Sequence, residues 1–373
     1  MRHLRVITGL ALTALALTMA GESAMAADET ATSSLSMTSI AGGLFRELPK
    51  PVNWKVGVEI KAPYPGSSVV TPLKEIHASL PQEMTFNPDP DMPVCPDDKV
   101  GPKPTNLSVP PETAIARCPD SVIGNGTAEH YLARINDSDG PTLRDAVVVI
   151  FNGGRTAEGL PKIKIYGYSQ GAGTGIYMVG VLDDGQLDVS IPVLPFDSAT
   201  GKFNLSIPGT DESHAERRGQ DPDYVRATCN DGDWEGQVDF LLGTRNDSGA
   251  ATSPESTVAA PPLSVPCSGV SGSPRLGKLK VKGPATAVQG KKTTFRVTIP
   301  NSGSATAKSV KVIASGKGAK GKSPAVSIAP GKSKTVKVKV KVSFTRKGQT
   351  RVKFKASGRG VSVKTASKSV KVK

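Results

Sequence analysis

The segment from 333 to 342 reads SKTVKVKVKV, and its alternation points to one regular structure. In an extended chain successive side chains point to opposite faces. Val336, Val338, Val340 and Val342 therefore share one face and Lys337, Lys339 and Lys341 the other, whereas a helix would scatter both sets around its axis. The pattern recurs at Phe295, Val297 and Ile299, and again where Val352 and Phe354 alternate with Arg351, Lys353 and Lys355. Turn signals separate these runs at Pro300-Asn301-Ser302-Gly303, Pro330-Gly331, Lys347-Gly348 and Gly358-Arg359-Gly360. Six or seven strands with one apolar and one wet face, in about a hundred residues, predict an immunoglobulin-like β-sandwich.

Charge divides the chain at the same place. The net charge of +14 combines a segment, 271–373, that holds 27 Lys and Arg and no Asp or Glu with a remainder of 20 basic and 33 acidic residues. So sharp an asymmetry predicts two domains with different partners. The expected order is a signal peptide at 1–26, a flexible leader at 27–49, an acidic β-rich domain at 50–267, a Gly/Ser linker at 268–274 and a basic sandwich at 275–373.

The signal peptide is read from basic Met1-Arg2-His3-Leu4-Arg5, an apolar run from Val6 to about Met19 and the small-residue site Ala24-Met25-Ala26. That run falls short of the ~20 residues of a membrane span. The expectation is a secreted, extracellular protein that is not transmembrane and associates with the cell wall. Export also sets the redox compartment, so Cys95, Cys118, Cys229 and Cys267 are expected to form two disulfides. Three connectivities are open. Pairing of neighbours, Cys95 with Cys118 and Cys229 with Cys267, is expected because each pair brackets a Pro-rich or polar loop.

Between residues 50 and 270 the grammar is all-β. Strand-like runs such as Trp54–Ile60, Ala146–Phe151, Lys162–Tyr168, Ile176–Leu182, Leu187–Val193 and Gln237–Leu242 lie between clusters of Pro, Gly, Asn and Asp. A short helical piece is expected at Glu112–Arg117 after Pro110-Pro111, and a loop at 246–266.

One motif suggests catalysis. GYSQG, residues 167–171, has the G-x-S-x-G pattern and looks like the motif of cutinase-type serine esterases. The alternative function is therefore a secreted ester hydrolase with Ser169 as nucleophile, His214 as base and Asp188 as acid. The elbow needs a helix after the serine, but Gly171, Gly173 and Gly175 disfavour one and the β-favouring Ile176-Tyr177-Met178-Val179 follow. The local reading is strand, Gly turn, strand, and the expectation is no enzymatic activity. Asp89, Asp91, Asp97 and Asp98, and Asp231, Asp233 and Glu235, lack the spacing of an EF-hand, so no metal or other cofactor is expected.

Two resemblances accompany this reading. The stretches PNSGSATAKSVKV (300–312), VSIAPGKSKTVKVKVKV (326–342) and the closing GVSVKTASKSVKVK resemble the CARDB-type, cell-adhesion-related β-sandwich domain over about 275–373. That resemblance implies a structural, adhesive module without catalytic residues. Leu80-Pro81 with TFNP at 85–88, Cys95, CPDSVIG at 118–124, VIFNG at 149–153 and LPKIKIYG at 160–167 are similar to exported actinobacterial β proteins of unknown function, over about 70–270.

The functional expectation is a non-enzymatic cell-envelope or adhesion protein. Its basic domain binds anionic polymers or polysaccharide through Lys337, Lys339, Lys341, Lys353 and Lys355 acting as point charges. Lys outnumbers Arg, and the aromatics are only Phe295, Phe344 and Phe354, which disfavours sequence-specific nucleic-acid reading. Self-association between acidic and basic domains is the other partner expectation.

Overall fold

The computed structural model describes residues 29–373 except 62–70, 87–88, 133–142, 194–197, 210–216, 231, 247–250 and 344–347. The signal peptide expected at 1–26 and His214 lie outside the described residues.

Nearly all regular structure is β. In the larger unit the sheet runs from Ala251–Ala259 through Asp233–Arg245, Leu73–Ser79, Gln186–Ser190, Thr174–Asp183, Pro161–Ser169, Leu143–Arg155, Val122–Leu132 and Ser198–Ile207 to Lys50–Lys61. Thr30–Ser39 then pairs antiparallel with Lys50–Lys61 along its whole length. It also lies against Ala251–Ala259 and Leu263–Pro266, so the sheet curls until its far edges meet. The enclosed core holds Trp54, Ile76, Val148, Ile165, Leu205 and Phe240.

The central meander forms because its turns suit its strands. Asp184 and Gly185 adopt φ of 40° and 84° between Thr174–Asp183 and Gln186–Ser190. This positive-φ pair is the hairpin connection whose twist matches its flanking strands.

A smaller cluster sits on the outside of this sheet. The disulfides join Cys95 to Cys118 and Cys229 to Cys267, the expected pairing. The first ties a lobe that carries the expected helix, Pro111–Arg117, and packs Val100, Ala114 and Ile115 against Val149, Phe151 and Tyr166.

The basic unit has its own core and its own sheet. Its strand path is Lys280–Lys282, Lys292–Pro300, Ser333–Val342, Ala319–Lys322, Ala307–Gly316, Gly348–Gly358, Val361–Val372 and Thr286–Ala287, with Val326–Ile328 beside Ala307–Gly316. The alternating apolar residues point inward. Val297, Val338, Val340, Phe354 and Ala356 are fully buried, and the rings of Phe295 and Phe354 meet at 5.3 Å between centroids.

Three sequence expectations are corrected. The leader expected to be flexible contains the ten-residue Thr30–Ser39 strand, whose Ala31 and Met37 are buried. Its small polar composition resembles disorder, but ten antiparallel pairs with Lys50–Lys61 engage the inward-facing half of its backbone groups. The loop expected over 246–266 contains the strands Ala251–Ala259 and Leu263–Pro266, both paired with Asp233–Arg245. The linker expected to be flexible is pinned, because Gly269–Val270 pairs in parallel with Leu44–Phe45. The Ser304 N–H also donates to the Ser273 carbonyl oxygen at 3.0 Å, and the Ser273 N–H to the Ser304 hydroxyl at 3.1 Å.

Candidate functional site

The five lysines expected to bind anions are all exposed, and their strands divide them into two groups. Lys337, Lys339 and Lys341 lie on the outer face of Ser333–Val342, which is paired on both sides. Lys337 stands opposite Arg296, and Arg296 opposite Lys282, which makes a row of three cations across three strands. Lys339 stands opposite Lys322. Lys341 lies between Lys292 and Lys320 in a second row of three.

Neighbouring strands are ~4.8 Å apart and alternate residues on one strand ~6.8 Å apart, so eight cations tile one patch of sheet. Like charges directly opposite one another destabilise a sheet, and the segment has no Asp or Glu to interleave with them.

Lys353 and Lys355 are placed differently. Their cross-strand neighbours are Ser315 and Ser367 for Lys353, and Ile313 and Thr365 for Lys355, so no charge stands beside either in register. Two strands, Ala319–Lys322 and Ala307–Gly316, lie between them and the lysines of Ser333–Val342. Sequence reasoning missed Lys282, Lys292, Arg296, Lys320 and Lys322 as members of the patch. Their charge was visible, but which strands pair and in what register is not written locally.

GYSQG occupies a hairpin. Pro161–Ser169 runs into a turn at 170–173 and returns as Thr174–Asp183, with Ser169 opposite Thr174 and Gly173 at φ 63°. This matches the strand, Gly turn, strand reading. The buried Ser169 hydroxyl donates to Asp145 Oδ1 at 2.7 Å and accepts from the Ala172 N–H at 3.1 Å. Asp145 Oδ2 accepts the Gly171 N–H at 2.6 Å. Burial pushes the Asp145 carboxyl up, but the hydrogen bonds from Gly171, Ser169 and the neighbouring backbone outweigh it and hold the group below the usual carboxylate range.

Asp188, the acid of the alternative triad, is not brought to Ser169. It is in register with Val181, and Val181 with Lys162, at the opposite end of the strand that carries Ser169. Seven residues of extended chain put it about 23 Å away. Asp188 instead contacts His77 Nδ1 at 2.7 Å.

Beneath the sheet, a void of about 30 Å³ is lined by Ile76, Val148, Ile165 and His130. That is room for a water, not for an organic ligand. Burial lowers the pKa of His130, whose Nδ1 lies 3.4 Å from the Thr200 hydroxyl. Among the described residues no group of three or more His, Cys, Asp or Glu is arranged to hold a metal ion, and no helix is long and apolar enough to cross a membrane.

Comparison with known proteins defines the class of the basic unit. Residues 274–361 match the CARDB family model, so the chain carries a CARDB domain on this β-sandwich. No curated protein matches the chain. The solved structures that align with it include a transglutaminase, a pilin and a protein of unknown function. The red sea bream transglutaminase is 12% identical with a TM-score of 0.24, covering 91% of this chain and 31% of that one. The T6 backbone pilin of serotype M6 Streptococcus pyogenes is 8% identical with a TM-score of 0.25, covering 92% and 51%. A protein of unknown function from Porphyromonas gingivalis W83 is 11% identical with a TM-score of 0.20, covering 61% and 92%. The chain thus spans about a third and a half of the length of the first two. These scores are too low to place it in the fold of any of the three.

Proposed function

We propose that this is a secreted, non-enzymatic structural protein that attaches to anionic cell-envelope polymers through its CARDB domain. One observation carries the reading: eight cations crowd one sheet face in a segment that has no acidic residue to neutralise them. An external polyanion would relieve their mutual repulsion, and such attraction weakens as salt screens it. Two disulfides accord with an oxidising compartment, and the signal-like N-terminus supplies the route to it.

The absence of catalysis is part of the proposal. Ser169 serves as a hairpin residue whose hydroxyl is held by Asp145, and no helix begins behind it. Cosedimentation of the full chain with purified envelope, at low and high salt, tests attachment. Binding at 50 mM NaCl that is lost at 500 mM supports the proposal, and no binding at either concentration refutes it. A parallel assay with a short-chain ester tests the second part. Hydrolysis that disappears in Ser169→Ala would reinstate the esterase.

A further inference from the structure

We infer that the anionic partner is a linear phosphodiester polymer, and that it is held by the face built from Lys280–Lys282, Lys292–Pro300, Ser333–Val342 and Ala319–Lys322 and not by the domain's charge as a whole. This rests on the polyanion reading above and adds to it the place and the ligand.

Lys337, Lys339 and Lys341 project from one straight strand at intervals of ~6.8 Å. A polymer whose phosphates are joined by three-carbon spacers places successive phosphorus atoms six bonds apart. At ~3.8 Å for each extended three-bond span that is at most about 7.6 Å, which a slight shortening of the chain brings to the strand interval, so one polymer laid along the strand meets a lysine at every phosphate.

The flanking strands then supply second cations. Arg296 stands beside the first lysine, Lys322 beside the second, and Lys292 and Lys320 on either side of the third. Each phosphate presents two free oxygens sharing one charge, and each position on the strand offers at least two donors to them. Ammonium groups suit this as point charges without directional preference. The face is also apt for a flexible chain, because its lysines stand exposed on the outer side of a sheet.

By contrast Arg351, Lys353 and Lys355 repeat the same interval along Gly348–Gly358 but stand among Ser315, Ile313, Thr365, Ser367 and Ser369. That strand has the spacing without the second cation. The two strands therefore form an internal control, with equal charge and equal interval but different neighbours.

The test uses the full chain and labelled poly(glycerol phosphate), titrated between 50 and 200 mM NaCl. Two triple variants, K337Q/K339Q/K341Q and R351Q/K353Q/K355Q, remove the same charge. The first is expected to weaken binding more than tenfold and to reduce the slope of log K against log salt by about 2, at ~0.7 per phosphate contact. The second is expected to weaken binding less than threefold. K337R/K339R/K341R should bind like the parent, and matched thermal melts confirm that each variant is folded.

Equal losses in the two triples would overturn the inference while leaving polyanion binding intact. So would binding to polygalacturonate, a carboxylate polymer, without binding to poly(glycerol phosphate). Salt-sensitive self-association abolished by the first triple, with no polymer bound, would assign the face to the acidic domain of a second copy. Binding to no polyanion at all would remove both the inference and the function it rests on.

Discussion

Lys164 Nζ, at a residue only 2% exposed, lies 2.5 Å from Asp97 Oδ1 and donates to the Cys95 carbonyl oxygen at 2.5 Å. This buried ammonium ties the first disulfide lobe to the sheet beneath it. Tyr177 adds a hydrogen bond to the same carboxylate at 3.2 Å.

The pair is expected to respond unequally to its two deletions. Asp97→Asn leaves a buried cation without its counter-charge and should cost about 1–3 kcal/mol, whereas Lys164→Met leaves a largely exposed carboxylate and should cost less. The hydrogen bond from Lys164 holds Asp97 below its ordinary value against the opposing effect of burial, with Tyr177 and Lys162 assisting. A depressed carboxylate stabilises the fold above its unfolded pKa of ~3.9, and that contribution is lost as pH falls through the lower folded value. Urea titrations of both variants between pH 2.5 and 6 measure it. A larger loss in Lys164→Met would contradict the account.

The GYSQG hairpin should behave as structure. Asp145→Ala strips the Ser169 hydroxyl and the Gly171 N–H of their acceptor and is expected to destabilise by about 1–2 kcal/mol; Ser169→Ala should cost about 1 kcal/mol. Hydrogen exchange at Gly171 and Ala172 reports the loosened turn directly. Unchanged protection in Asp145→Ala would mean that the carboxylate does not hold it.

Docking of the two units should depend on pH through Glu47, whose carboxylate accepts hydrogen bonds from the Thr306 hydroxyl and from its N–H at 2.7 Å. The hydroxyl bond, then the backbone bond, hold Glu47 below the usual carboxylate range, with Lys308 contributing and burial opposing. The contact is therefore present above the ordinary Glu value of ~4.3 and weakens as pH falls through the lowered one. Limited proteolysis of the junction should accelerate toward pH 3 in the parent, while Glu47→Gln should already be susceptible at pH 6.

Gly269 is required at the same junction for a different reason. A Cβ there would collide with the Cys229 carbonyl oxygen, so Gly269→Ala must push apart the segment that pairs with Leu44–Phe45. Cleavage between the units at neutral pH is the expected result, and parental resistance would show that the backbone has room to yield.

In the CARDB domain the largest stability effect should come from Phe354, fully buried against Phe295. Phe354→Ala is expected to cost about 3–5 kcal/mol. Loss of the domain's cooperative melt while the disulfide-tied unit still unfolds as before would fit two independent cores.

Much of the architecture could be read directly from the chain, because its signals are local. Val336 to Val342 announce their own strand and its buried face, and the Asp184-Gly185 dipeptide announces its turn. The expectation of a Cys95–Cys118 and Cys229–Cys267 pairing likewise needed only neighbouring residues. The Thr30–Ser39 strand was harder to see. Leu35 and Met37 carry its period, but Ser and Thr elsewhere gave it the composition of a loose segment, and its order depends on a partner twenty or so residues away.

The candidate site divides along the same line. Sequence alone determined that the last hundred residues are basic, acid-free and alternating, since charge and period are properties of neighbouring residues. Only the tertiary structure decided that Lys337 meets Arg296, that Lys341 stands between Lys292 and Lys320, and that Lys353 and Lys355 stand among uncharged neighbours. Register is set by which strands pair across long stretches of chain, and slipping it by one residue would exchange the two faces, so no local pattern specifies it.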